Sequence, residues 1–132
     1  MIELAVGHRA SESLLSHKED LARAITDSLF AAQPDLLARY GELGRAKCLQ
    51  DMRYSLEHLA PAVALGEPDL FARYVRWLED LLRARGILAE DIRRSLELTE
   101  AVISTRLPIE EATVTTRCVR AGLAALSVTG RI

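Results

Sequence analysis

The stretch RAKCLQDMRYSLEHLAPAVAL, Arg45 to Leu65, decides the fold class. Its apolar residues Leu49, Met52, Leu56, Leu59 and Val63 recur at alternating steps of three and four, a spacing that gathers side chains on one stripe of an α-helix. Pro61 is expected to bend the last turns, because it lacks a backbone donor and its ring crowds the turn before it. Cys48, Asp51 and Tyr54 stand three residues apart beside the stripe as a polar ladder. On that spacing a thiol and a carboxylate face one pocket. The plainer reading, a small core cysteine beside a solvent-facing aspartate, stays open at this point.

Outward from this helix, proline and glycine divide the chain into further helical blocks, with no strand alternation and no internal repeat. A first block is expected from about Ser11 to Ala32, with Leu14, Leu21, Ile25 and Leu29 on one face and a capping box of Ser16 with Glu19 if it starts later. Pro34 opens a short second block through Tyr40, which Gly41 and Gly44 interrupt. Gly66 ends the central helix. Pro68 opens the next, the most hydrophobic one, where Leu70, Phe71, Tyr74, Val75, Leu78, Leu81 and Leu82 make a broad apolar face up to Gly86. A fifth helix, Ala89 to Leu107, buries Ile92, Leu96, Ile103 and Leu107; Pro108 starts a sixth with Val119, Leu123 and Leu126. The tail after Ser127 is expected to fray. The pattern is all-α, helix packed on helix, and periodicity alone does not distinguish a globin from another bundle.

At 132 residues, 49% of them hydrophobic, the chain is expected to fold as a single domain over 1–132. Lys and Arg number 17 against 19 Asp and Glu, a formal charge of −2, so neither nucleic acid nor an anionic membrane is an expected partner. No apolar run approaches the roughly 18–20 residues of a membrane span, and Met1 to Ala10 lacks the basic start of a signal peptide. A cytoplasmic location and two free thiols, Cys48 and Cys118, follow as expectations. His-Glu-x-x-His, Glu-x-x-His pairs, Cys-x-x-Cys and glycine-rich phosphate loops are all missing, so neither catalysis nor a metal is expected. His8 and His17 are read as exposed, and His58 as either a ligand or a partly buried polar residue. Tyr40, Tyr54, Tyr74 and Trp77 have the polar-tipped rings that suit a planar cofactor, and equally suit a core rim. Phe71, Val75 or Trp77 is expected to leave an apolar patch through which the protein dimerises.

The segment Lys47-Cys48-Leu49-Gln50-Asp51-Met52-Arg53-Tyr54-Ser55-Leu56 resembles the chromophore-bearing Cys-x-Arg-Asp-x-x-Tyr-Tyr-Leu of the phycobiliproteins, matching at Cys48, Asp51, Tyr54 and Leu56. Without a gap, Gly66-Glu67 is similar to the family's Ala-Gly-Asp at the end of that helix, and Arg85-Gly86 falls where the family has Leu-Gly after the next. The resemblance implies a globin-like fold that holds a linear tetrapyrrole, a bilin. Cys48 would form the thioether and Asp51 would accept hydrogen bonds from the pyrrole N–H groups, the stronger, charge-assisted kind. Arg45, Lys47 or Arg53 would reach the propionates. Two departures weaken anion binding: Gln50 replaces the arginine that pairs with a propionate, and Glu57 stands where the family often has another. The sequence ahead of Cys48 is shorter than in phycobiliproteins, so the pairing hairpin of light-harvesting assemblies is not expected. The compact bilin biosynthesis-associated globins of non-photosynthetic bacteria are a closer likeness, here with no Asp-x-His-x-x-Gly cobalamin motif. The expected function is therefore bilin binding or a role beside tetrapyrrole metabolism. Its rival is a haemless sensor-globin type of interaction module, in which side chains fill the pocket and signalling runs through a helix–helix dimer.

Overall fold

A computed structural model describes residues 2–127, and among these every regular element is α-helical. The helices are α1 (Ile2–Ser16), α2 (Lys18–Ala32), α3 (Asp35–Leu65), α4 (Pro68–Ala84), α5 (Ala89–Arg106) and α6 (Ile109–Ala125). The tail expected to fray after Ser127 lies outside the described residues. One apolar cluster draws side chains from all six helices, with Leu14, Leu21, Leu59, Phe71, Ile103 and Val119 among its fully enclosed members. α3 runs through the middle and packs on α1, α2, α4 and α6, while α4 and α6 form the most extensive pair.

The first block differs from the sequence expectation in two respects. Helix begins at Ile2 rather than near Ser11, and the chain breaks again at His17, giving two helices in place of one. The reason lies in which residues α1 buries: Val6, Gly7, Ala10 and Leu14, a mostly small-residue stripe that apolar bulk does not reveal. Gly7 is there for closeness, since a Cβ on it would lie 2.6 Å from the Val63 carbonyl oxygen of α3. The capping box does not form. His17 occupies the N-cap without a side-chain bond, and Glu19 instead pairs with Arg53.

The second and third blocks join into α3 across a kink at Gly41, whose φ of 72° and ψ of −177° lie in a region essentially closed to residues with a Cβ. Gly44 does not interrupt the helix; the kink instead brings Tyr40 over it, and a Cβ there would fall 2.5 Å from that of Tyr40. α4 ends in a left-handed turn at Gly86, where the Ile87 N–H reaches back to the Leu82 carbonyl at 3.0 Å, a Schellman arrangement that satisfies the helix end. That turn fixes the position of both Arg85 and Ile87. The expected apolar patch on α4 is smaller than its sequence implies: Phe71 and Val75 are wholly enclosed because α6 lies across them, and only Trp77, 58% exposed, faces outward.

Candidate functional site

A cleft of about 490 Å³ opens beside α3, with no residue of α1 in its lining. Four helices meet around it. Leu29 and Phe30 come from the end of α2, Tyr40, Lys47, Cys48 and Asp51 from α3, Arg85 and Ile87 from the end of α4, and Asp91, Ile92 and Ser95 from the start of α5. Most of its wall is aliphatic or aromatic, and its polar groups are few. It sits where the main apolar cluster meets a smaller one made by Leu29, Phe30 and Leu36; Cys48 and Leu98 touch both. A seam between two clusters leaves space that neither fills.

Asp51 is the unusual member. Its side chain retains 16% of its accessible surface, its closest cation is the Arg85 guanidinium at 3.9 Å, and among the described residues no hydrogen-bond donor reaches it. Burial raises the Asp51 carboxyl above its ordinary range, with Arg85 and Lys47 opposing. The Cys48 thiol is pushed up to about 11, chiefly by burial; the Thr26 hydroxyl and Arg45 pull it down and Asp51 pushes it further up. Cys48 and Cys118 are both free.

At the other end of the cleft Asp91 is buried yet fully engaged. Arg39 Nη2 donates to both carboxylate oxygens at 3.2 and 3.0 Å, and the Tyr40 hydroxyl donates to Oδ2 at 2.7 Å. The same hydroxyl accepts the Leu88 N–H at 3.3 Å. Burial and the neighbouring carboxylate both raise the Tyr40 phenol.

Of the residues singled out in the sequence, Cys48, Asp51 and Lys47 meet at this cleft. Arg45, Arg53 and Tyr54 do not. Arg45 turns toward α2, pairing with Asp27 at 2.6 Å and covering the Phe30 ring at 5.1 Å. Arg53 donates to both oxygens of Glu19. Tyr54 is 48% exposed and its hydroxyl accepts a bond from Gln50 at 3.3 Å. The ladder fails at its third rung because six residues at about 100° each end roughly 120° around the helix from the first. His58 stacks on Tyr74 at 4.2 Å and bonds the Tyr54 carbonyl, away from the cleft. Among the described residues no three His, Cys, Asp or Glu side chains converge as a metal site, and no helix is long and apolar enough to cross a membrane.

Arg85, Asp91, Arg39 and Tyr40's polar role were not read from the sequence. Tyr40 was visible as a polar-tipped aromatic; the others are ordinary helix-end charges until the fold assembles them. No protein-family model matches the chain, and no curated protein matches it.

Proposed function

We propose that this chain is a globin-like module related to the phycobiliproteins that binds an open-chain tetrapyrrole in the cleft. The observation that carries the reading is Asp51: a half-buried carboxylate on an apolar wall, with no donor of its own and cations at its side. A conjugated ligand with inward N–H donors and peripheral carboxylates is the complement of such a wall. Arg85, arriving from α4, offers the guanidinium that Gln50 withholds, and Lys47 offers a second cation at the mouth. The cleft's volume, about 490 Å³, falls within the ordinary range for small-molecule sites.

The thiol bears on how the ligand is held. With Cys48 at about 11, only on the order of one thiol in ten thousand is ionised at neutral pH, and the thiolate is the nucleophile. Binding therefore comes first and is non-covalent; a thioether at Cys48 requires an activating partner. The lining contains no histidine to serve as base, which favours binding over turnover.

Titration with biliverdin tests this directly. The expected result is saturable uptake with an altered visible spectrum, kept by Cys48→Ala and weakened by Asp51→Ala by about tenfold or more, the scale of a lost charge-assisted bond. On coexpression with bilin-producing enzymes and a lyase, zinc-stained fluorescence under denaturing conditions should vanish in Cys48→Ala and persist in Cys118→Ala. Equal affinity of wild type and Asp51→Ala would overturn the reading. One observation favours the rival interaction module: Trp77 stands exposed on α4, 5.9 Å from the Tyr74 ring. A dimer in sedimentation that Trp77→Ala dissolves, with no pigment uptake, would put that reading in its place.

A further inference from the structure

The first turn and a half of α3 contributes Leu36 and Tyr40 to the cleft's lining. Leu36 is its one enclosed anchor, while Leu37, Ala38 and Arg39 face solvent. Gly41 separates this turn from the rest of α3 with a glycine-only backbone conformation, and no atom from elsewhere in the fold lies within 4 Å of where its Cβ would be. Across the cleft, the backbones of α3 and α5 hardly approach each other. What ties them is the cluster of Arg39, Tyr40 and Asp91.

We infer that the Asp35–Tyr40 turn is a hinged wall of the ligand cleft, pivoting at Gly41 and latched to α5 by Arg39 and Tyr40 on Asp91. This rests on the reading of the cleft as a ligand site and adds how that site is entered. The charges distinguish a latch from a permanent fastening, because each has a second resting place. Arg39 also pairs with Asp35 at 2.9 Å, within its own turn, and this bond travels with the turn when it swings. Asp91 lies in the first turn of α5, where the helix N-terminus favours a carboxylate and water replaces the lost donors. Releasing the cluster therefore strands neither charge. Tyr40 is at once part of the latch and part of the cleft wall, so its departure widens the opening directly. The Leu88 N–H, the cap residue of α5, is freed to solvent in the same step.

The two cysteines report the motion without any ligand. Cys48 lies on the cleft wall and Cys118 in the main cluster, and burial holds both thiols at about 11, so their intrinsic reactivities are alike. Labelling by 5,5′-dithiobis(2-nitrobenzoate) is followed in the Cys118→Ser and Cys48→Ser proteins, each with and without Tyr40→Phe. Tyr40→Phe removes one oxygen and both of its bonds and keeps the ring. Asp91→Asn is the second variant and keeps the carboxylate's shape. Under native conditions the Cys48 rate measures local opening and the Cys118 rate wider unfolding. The expected result is a Cys48 rate raised about tenfold by either variant, the scale of one or two lost buried hydrogen bonds, with the Cys118 rate unchanged. A Cys48 rate indifferent to both variants, or equal acceleration of both cysteines, overturns the hinge. Because no pigment enters this assay, that failure is separate from a failure to bind biliverdin, which would sink the ligand reading alone.

Discussion

The two flanks of α3 are packed by different rules. On the side of α1, α4 and α6 only hydrogen fits at two helix crossings: where α1 crosses α3, a Cβ on Gly7 would meet the Val63 carbonyl oxygen at 2.6 Å, and where α6 crosses α4, one on Gly122 would meet the Phe71 ring and the Val75 side chain at 2.8 Å. On the side of α2 and α5, α2 packs along α3 but α5 hardly approaches it, a cluster of three enclosed side chains forms separately, and a cleft of about 490 Å³ stays open between it and the main cluster. Close packing fixes one arrangement; a seam leaves room for a guest. On the proposed reading, the division assigns stability to one flank and binding to the other.

Truncating an anchor on each flank tests that division most severely. Phe71→Ala should cost about 3–5 kcal/mol, because α4 and α6 cannot close over the hole without separating from the rest of the cluster. Leu36→Ala should cost about 2 kcal/mol, the low end for such a truncation, since the turn that carries it settles inward across the cleft. Urea titrations with an unchanged slope would measure both. Equal losses would abolish the distinction between the flanks.

A smaller effect is expected from Gly7→Ala. Alanine favours a helix by up to about 1 kcal/mol over glycine, yet the added methyl presses on a carbonyl of α3 that backbone geometry holds in place. The clash should prevail, for a net loss of about 1–2 kcal/mol, with biliverdin uptake at 25 °C unaltered because neither Gly7 nor Val63 lines the cleft. Gain of stability would mean that α1 and α3 are less tightly joined than their geometry implies.

The close-packed flank was the more legible in the sequence, though unevenly. α4 announced itself through a continuous apolar face between Pro68 and Gly86, and the later half of α3 through the steps from Leu49 to Val63. α1 did not, because closeness there is achieved with Gly7 and Ala10, residues whose burial contributes little apolar area. The break at His17 bears neither proline nor glycine to mark it. In the cleft, Cys48, Lys47 and Asp51 share one helix, so local spacing sufficed to group them. Arg85 and Asp91 come from other helices, and a sequence separation of 34 residues between Asp51 and Arg85 leaves no periodic trace of their approach. Tyr54 shows the opposite error, a three-residue rhythm extended one step too far around the helix.

The smallest expected effect bears most closely on what the cleft is for. Burial raises the Asp51 carboxyl, with Arg85 and Lys47 only partly offsetting it, so the folded protein holds the Asp51 proton more tightly than the unfolded chain does. Whatever this group contributes to stability is therefore present at low pH and lost as pH rises through its folded range, and at neutral pH the ionised carboxylate opposes folding. Asp51→Asn keeps the shape and removes the charge. The variant should melt at a higher temperature than wild type at pH 7, and its advantage should shrink as pH falls and wild-type Asp51 takes up its own proton. Biliverdin uptake should move the other way, weakened because a neutral amide is a poorer acceptor for pyrrole N–H groups. A side chain that lowers stability while supplying an acceptor to an apolar wall behaves as a ligand contact, which is the trade expected at binding sites. If Asp51→Asn instead lowers the melting temperature at pH 7, pairing with Arg85 outweighs burial. Asp51 then belongs to the fastening of α3 to α4, and the ligand reading loses the observation that carries it.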